Sequence, residues 1–172
     1  MYKILIVDDE SIEREGISFL IEKYKLPLEI AQATNGKTAL EYMRTHPIDI
    51  LLTDVKMPQM DGLELARHTF EKYPDVRILV FSAYGEFEFA KKAMAAQAVS
   101  YLLKPIEVDE FQRIMAQILA QCDELAEKKK HEQQRGEEYR QQLLFRLVTG
   151  TGLGKAHSTE ELFPGQTLCL LH

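Results

Sequence analysis

Three aspartates and one lysine stand at the ends of short apolar runs in this chain. The run 3–7 leads into Asp8 and Asp9, the run 48–53 leads into Asp54, and the run 100–103 leads into Lys104. Short runs of Ile, Leu and Val are typical of strands buried on both faces of a parallel sheet. Because the carboxyl ends of parallel strands meet at one edge, we expect these four side chains to lie close together there.

The chemistry of such a cluster is that of a cation site with a carboxylate nucleophile. Clustered carboxylates repel one another, so without a cation at least one of them carries a raised pKa. Mg²⁺ suits the cluster because it is a hard ion that takes oxygen ligands. One of these carboxylates can accept a phosphoryl group, and the Lys104 ammonium can stabilise the phosphoryl oxygens. The pattern therefore predicts phosphoryl transfer with Mg²⁺ as the cofactor.

The order of strand and helix signals predicts an α/β fold: a doubly wound five-stranded parallel sheet with a C-terminal helical extension. Strands are expected near 3–7, 28–33, 49–53, 76–81 and 100–103. Helices are expected near 11–23, 37–45, 62–72 and 86–96 and again after Pro105. Right-handed crossovers and the flavodoxin-like order 2-1-3-4-5 place the ends of the first and third strands side by side. On the first helix, the expected apolar face comprises Ile12, Gly16, Phe19, Leu20 and Tyr24.

Composition and charge exclude several classes of protein. A net charge of −6 argues against a nucleic-acid-binding surface that covers this chain. Cys122 and Cys169 lack metal-ligand spacing, which favours unpaired thiols in a reducing compartment. We find no signal-peptide pattern and no apolar run of about 20 residues, so we expect a cytoplasmic protein without membrane contact.

The helical pattern continues beyond the sheet, and we divide the chain accordingly. We expect residues 1–120 to form the sheet domain, 121–149 a helical linker, and 150–172 a tail that starts a truncated second domain. Apolar spacing runs from Phe111 to Leu125, is interrupted by the polar stretch 127–138, and resumes at Tyr139. This interrupted seam leaves two possibilities open for the linker, a dimeric coiled coil or a solvated single helix.

Four motifs carry a resemblance to a known family. They are Asp8-Asp9, the segment 54–62 (DVKMPQMDG), Ser82-Ala83 and Lys104-Pro105, in this order and at these spacings. With them, residues 1–106 resemble the receiver domain of a two-component response regulator.

The resemblance implies a phosphoacceptor and its metal ligands. Asp54 would accept a phosphoryl group from a sensor histidine kinase. Asp9 and Asp54 would bind Mg²⁺ directly together with the backbone carbonyl of Lys56, and Asp8 would act through a metal-bound water. A second interpretation of Asp8 is a helix N-cap. The protein would be no separate enzyme, but a phosphoacceptor that assists its own phosphoryl transfer and dephosphorylation.

The resemblance also assigns residues to the switch. Lys104 would pair with the phosphoryl group, and Ser82 would hydrogen-bond to it. Tyr101 would be the aromatic residue that turns inward as Ser82 moves, and Lys56 and Tyr84 would tune the lifetime of the phosphate. The Lys104–Pro105 bond is expected to be cis. Alternatively, Ser82 caps the following helix and Tyr101 is a half-buried core residue.

Segments 81–93 and 101–106 resemble regulators with an AraC-type helix-turn-helix output. The resemblance implies transcriptional control by a homodimer, through a DNA-binding region beyond His172. One alternative is a stand-alone receiver that acts by protein contact. Another is a Mg²⁺-dependent phosphohydrolase with an aspartate nucleophile, which is disfavoured because Lys56 stands where such an enzyme has a second aspartate.

Overall fold

The computed structural model of the protein describes residues 1–83 and 100–149, and within them it contains one parallel sheet. Its five strands lie in the order β2-β1-β3-β4-β5, which confirms the predicted topology. The strands are β1 (Tyr2–Val7), β2 (Leu28–Ala33), β3 (Ile50–Asp54), β4 (Arg77–Ala83) and β5 (Ser100–Lys104). Since β1 pairs with both β2 and β3, the carboxyl ends of β1 and β3 are neighbours.

The described residues also form four helices. They are α1 (Ser11–Lys23), α2 (Gly36–Met43), α3 (Gly62–Lys72) and a C-terminal helix (Val108–Thr149). Asn35 and Thr38 form a capping box at the start of α2, and Asp61 caps α3 by accepting from the Glu64 N–H at 2.7 Å. The helix expected near 86–96, Tyr84 and the tail 150–172 lie outside the described residues.

The hydrophobic core lies on both faces of the sheet, which explains why the strand sequences are continuously apolar. On one face Ile4 and Ile6 of β1 pack in a cluster with α1 and the first part of the C-terminal helix. On the other face Leu5 and Val7 pack with α2 and α3. Every residue of β3 is buried, including Asp54 at its end.

The predicted core face of α1 is wrong. Ile17 and Ile21 are the buried residues of this helix, whereas Ile12 and Phe19 are 73% and 60% exposed. Leu20 packs against the core only in part. The helix carries apolar residues around more than half of its circumference, and the sheet covers the side with the two isoleucines.

The chain divides into two compact units, Met1–Leu125 and Ala126–His172. In the first unit the C-terminal helix buries one side of its first turns through Phe111, Ile114, Met115, Ile118 and Cys122. Cys122 is buried beyond residue 120, where the sequence placed the domain boundary. Burial raises the pKa of its thiol to about 11, so the thiol stays protonated and unreactive at neutral pH.

In the second unit the described residues, 126–149, form one helix with mostly exposed side chains. Its exposed apolar side chains are Tyr139, Leu144, Phe145, Leu147 and Val148. No helix within the described ranges combines the length and apolar character needed to cross a membrane.

Candidate functional site

Lys104 joins two carboxylates at the carboxyl edge of the sheet. Its Nζ lies 2.9 Å from Asp54 Oδ1 and 3.0 Å from Asp8 Oδ2. Asp54 ends β3 and Lys104 ends β5, with β4 between them, so the ammonium reaches across one strand. The structure thus brings Asp8, Asp54 and Lys104 together, as the sequence predicted for these residues.

Backbone N–H groups hold the remaining oxygen of each carboxylate. The Glu10 N–H donates to Asp8 Oδ1 at 2.8 Å, and the Lys56 N–H donates to Asp54 Oδ2 at 2.7 Å. Both aspartates are therefore fixed from two sides. Glu10, not Asp8, occupies the N-cap position of α1, so the interpretation of Asp8 as the helix cap is wrong.

Two buried carboxylates share one ammonium, and this imbalance affects the pKa of Asp54. Burial raises the pKa of Asp54, and the nearby Asp8 charge adds to that rise, while Lys104 opposes it only in part. Burial alone would lower the pKa of Lys104, but its hydrogen bonds to Asp54 and Asp8 outweigh burial and raise that pKa. Lys104 therefore stays charged, and the site retains one uncompensated negative charge when both carboxylates are ionised.

An aromatic ring and a cis peptide bond accompany the Lys104 side chain. Its Nζ lies 4.6 Å from the ring centroid of Phe81, a buried residue of β4, which is within the range of cation–π attraction. The Lys104–Pro105 bond is cis, as expected. Sequence reasoning missed the role of Phe81 because cation–π contacts leave no spacing signal.

In the loop after β3, Gly62 lies in close contact with the end of that strand, a contact that sequence reasoning also missed. A Cβ atom on Gly62 would lie 1.8 Å from the Asp54 carbonyl oxygen and 2.8 Å from Thr53 Oγ1. The Gly62 N–H donates to the Val55 carbonyl at 2.9 Å, which folds 54–62 back on itself. Only glycine permits this approach, so Gly62 fixes the backbone that carries Asp54.

The donor set suits a divalent cation, although it is incomplete as it stands. Oxygens of Asp8 and Asp54 converge on a single cation, the Lys104 ammonium, and carboxylate oxygens are what Mg²⁺ prefers. Across 1–83 and 100–149, no three His, Cys, Asp or Glu side chains lie close enough together to hold a metal. Asp9, expected as a direct ligand, is exposed beside the pair.

The expected switch residues lie on β4 and β5. Ser82 is buried near the end of β4, where it pairs in register with Leu103. Tyr101 is half-buried against the α2 and α3 side of the core, and its buried hydroxyl finds no hydrogen-bond partner in the part of the chain described. This geometry suits either interpretation of Tyr101, a switch residue or a core residue.

Comparison with known proteins identifies the family. Residues 4–116 match the response regulator receiver domain. The chain belongs to that family, and its described fold is that of a receiver in a two-component signalling system.

Similar proteins include transcriptional regulators. The chain is 42% identical over 122 residues, 70% of its length, to the uncharacterized transcriptional regulatory protein YesN of Bacillus subtilis. It spans only 33% of the length of YesN.

Solved structures of receivers are also similar. The receiver domain of AraT, a response regulator from Geobacillus stearothermophilus, is 36% identical with a TM-score of 0.66, over 74% of this chain and 98% of that one. A two-component transcriptional regulator AraC from Clostridium phytofermentans is 36% identical with a TM-score of 0.66, over 72% and 97%.

Proposed function

We propose that this protein is switched by phosphorylation of Asp54, with a sensor histidine kinase as the phosphoryl donor. The observation that carries the proposal is the Lys104 ammonium held between Asp54 and Asp8 at the sheet edge. Asp54 has the buried, fixed geometry of a nucleophile, and Lys104 stands where charge on a transferred group needs compensation.

The transfer is an in-line displacement at phosphorus. An Asp54 carboxylate oxygen forms the new P–O bond, the P–N bond of the phosphohistidine breaks, and the imidazole nitrogen leaves with the electron pair and takes up a proton. The chain contributes mainly position and charge, because phosphoryl transfer requires little other chemistry from a protein. Lys104 exchanges a carboxylate for a phosphoryl oxygen, and Ser82 then donates to another.

Mg²⁺ is the proposed cofactor. Asp9, Asp54 and the backbone carbonyl of Lys56 would bind it directly, and Asp8 would act through a metal-bound water. When bound, Mg²⁺ supplies the positive charge that the two buried carboxylates lack. The exposed Asp9 would complete the set that Asp8 and Asp54 begin. Tyr101 as the switch and Lys56 and Tyr84 as residues that tune the phosphate lifetime belong to the same proposal.

The surface beside the site suits a protein donor. Phe19 of α1 lines a groove of about 330 Å³ with Lys104 and Pro105. Exposed Phe19 and Ile12 form an apolar rim on α1. Because exposed apolar side chains beside a site are typical of partner contacts, we propose that the kinase contacts this part of α1.

The proposed output is transcriptional control in the cytoplasm, through a DNA-binding region of AraC type that is not part of the described residues. Two similar proteins, YesN and the Clostridium regulator, have names that support this output. A homodimer formed through the helix 126–149 would bring two such regions together. The phosphohydrolase alternative is weaker because Lys56, not an acid, stands two residues after Asp54.

The test is the intact mass of the full chain after incubation with acetyl phosphate and Mg²⁺. We expect wild type to gain one phosphoryl group, and Asp54→Asn or wild type with a chelator to gain none. Equal gain by Asp54→Asn would place the acceptor elsewhere. An unmodified wild type that nevertheless binds Mg²⁺ would contradict the proposed activity.

A further inference from the structure

Arg14 of α1 contacts the acidic site through the main chain of Asp8. Its Nη1 donates to the Asp8 carbonyl oxygen at 2.6 Å, a short charge-assisted hydrogen bond. Neither the cluster of aspartates nor the motifs named above account for this contact. The contacted residue, Asp8, directly precedes Asp9. The N–H of the next residue, Glu10, holds the Asp8 carboxylate.

Two further side chains hold Arg14 in place. Arg14 Nε donates to Gln32 Oε1 of β2 at 3.2 Å, and Gln32 Nε2 donates to Ser18 Oγ at 3.1 Å. Ser18 Oγ in turn donates to the Arg14 carbonyl at 2.8 Å. These bonds form a closed ring of Arg14, Gln32 and Ser18, which we call the Arg14 bracket. The bracket joins α1 to β2 and fixes the guanidinium fork before any ligand binds.

The need for such a bracket follows from the double use of Lys104. In the structure Lys104 holds Asp8 Oδ2, but the proposed function requires the same ammonium to turn towards a phosphoryl group. A cation held at this site would also compete with Lys104 for the Asp8 carboxylate. Asp8 then keeps only the Glu10 N–H and its own main chain as anchors. Arg14 holds that main chain without occupying either carboxylate oxygen.

We propose that Arg14, braced by Gln32 and Ser18, is a positioning residue that holds the Asp8–Asp9 turn ready for the divalent cation. This inference rests on the proposed function, since it assumes that the site takes Mg²⁺. Partners that orient metal ligands without touching the metal contribute about tenfold or more to metal affinity. The bracket lies near the surface, so its loss affects the site more than the stability of the fold.

The experiment is a calorimetric titration of the full chain with MgCl₂, with the thermal unfolding midpoint measured on the same samples. We expect Arg14→Met to raise the Mg²⁺ dissociation constant about tenfold, with a midpoint within a few degrees of wild type. The matched control is Arg67→Met, which removes an exposed arginine paired with Glu71 on α3. A dissociation constant for Arg14→Met within about twofold of the Arg67→Met value would overturn the proposal.

Two more variants separate position from charge. Arg14→Lys keeps the charge but not the rigid fork, so we expect it to recover little of the lost affinity. Gln32→Leu leaves every charge unchanged and is expected to weaken binding about threefold, with no further loss when added to Arg14→Met. Full recovery by lysine, or no effect of Gln32→Leu, would show that charge alone matters and would overturn the positioning role.

The same samples distinguish this inference from the proposed function. A wild type that binds Mg²⁺ but gains no phosphoryl group from acetyl phosphate contradicts the proposed function, while the titrations still decide the bracket. A wild type that does not bind Mg²⁺ overturns both.

Discussion

The raised pKa of Asp54 indicates that its ionised carboxylate costs stability in the unphosphorylated protein. Its pKa is raised mainly by burial, so the folded state binds a proton at Asp54 more tightly than the unfolded state does. The contribution of Asp54 to the free energy of unfolding therefore falls as the pH rises. The fall begins at the ordinary aspartate pKa, about 3.9, and continues through the raised pKa of Asp54 in the folded protein. At neutral pH the ionised carboxylate is a cost, which a bound cation or a neutral side chain removes.

We accordingly predict that Asp54→Asn raises the thermal unfolding midpoint at neutral pH without Mg²⁺. The gain should shrink as the pH approaches 4, where wild-type Asp54 is itself protonated. Saturating Mg²⁺ should stabilise wild type, by about 2.7 kcal/mol at one hundred times the dissociation constant, and the variant much less. Thermal melts across the pH range measure both effects. A variant less stable than wild type at neutral pH would show that the Lys104 pair outweighs burial.

Gly62 fixes the backbone of Asp54 by close contact. We predict that Gly62→Ala destabilises the protein by about 3 kcal/mol, because a Cβ atom meets the Asp54 carbonyl oxygen at 1.8 Å. Gly16→Ala is the matched control. It places a methyl group where no atom lies within 4 Å, inside α1, and should stabilise by about 1 kcal/mol. Denaturant unfolding of the two variants tests the difference, and equal effects would contradict the contact.

At the scale of elements, the strands and their order follow from apolar runs and parallel-sheet geometry. The strand predicted at 49–53 is found at Ile50–Asp54, and the helix predicted at 11–23 is found at Ser11–Lys23. The buried face of α1 could not be predicted from the sequence, because periodicity shows only that a helix has an apolar face. Which face the sheet covers depends on packing, and here Ile17 and Ile21 are buried while Phe19 stays exposed.

The site followed from the sequence to a similar extent. Asp8, Asp54 and Lys104 were predictable because each ends or directly follows a strand, and strand ends converge. The contacts of Gly62, Phe81 and Arg14 were not, because each depends on the path of a loop or the orientation of a neighbouring element. Such contacts join distant parts of the chain and leave no local pattern.

The C-terminal helix is packed in the core at its start and exposed at its end, as two of its phenylalanines show. Phe111 is fully buried, whereas Phe145 is 68% exposed. We predict that Phe111→Ala destabilises the protein by about 3–5 kcal/mol. Phe145→Ala should change the stability by less than about 0.5 kcal/mol. Chemical denaturation at low protein concentration is the measurement, and a large loss from Phe145→Ala would mean that the end of the helix is packed in solution.

At the scale of the whole molecule, the phosphoryl donor distinguishes the chemistry of the site from recognition by a kinase. We predict that Phe19→Ser slows transfer from a phosphorylated histidine kinase that labels wild type, by roughly fivefold to thirtyfold. Labelling by acetyl phosphate should stay unchanged, because Asp54 and Lys104 are intact. Phe145→Ser, equally apolar and exposed in wild type, should affect neither reaction. Equal slowing with both donors would show that Phe19 supports the geometry of the acidic site and not the binding of the kinase.

The chain spans about a third of the length of YesN. In the proposed function the acidic site receives the signal as a phosphoryl group. The helix from Val108 carries the chain from the receiver unit into the second unit.

The central claim, that Asp54 is the residue that carries the phosphoryl group, is tested most directly by reductive trapping. The full chain is phosphorylated with acetyl phosphate and Mg²⁺ and reduced with borohydride, which converts an aspartyl phosphate to homoserine. The modified residue is then located by peptide mass spectrometry. We expect homoserine at position 54 alone, and none without Mg²⁺. Homoserine at Asp8 or Asp9, or none in a sample whose intact mass shows the phosphoryl group, would contradict it.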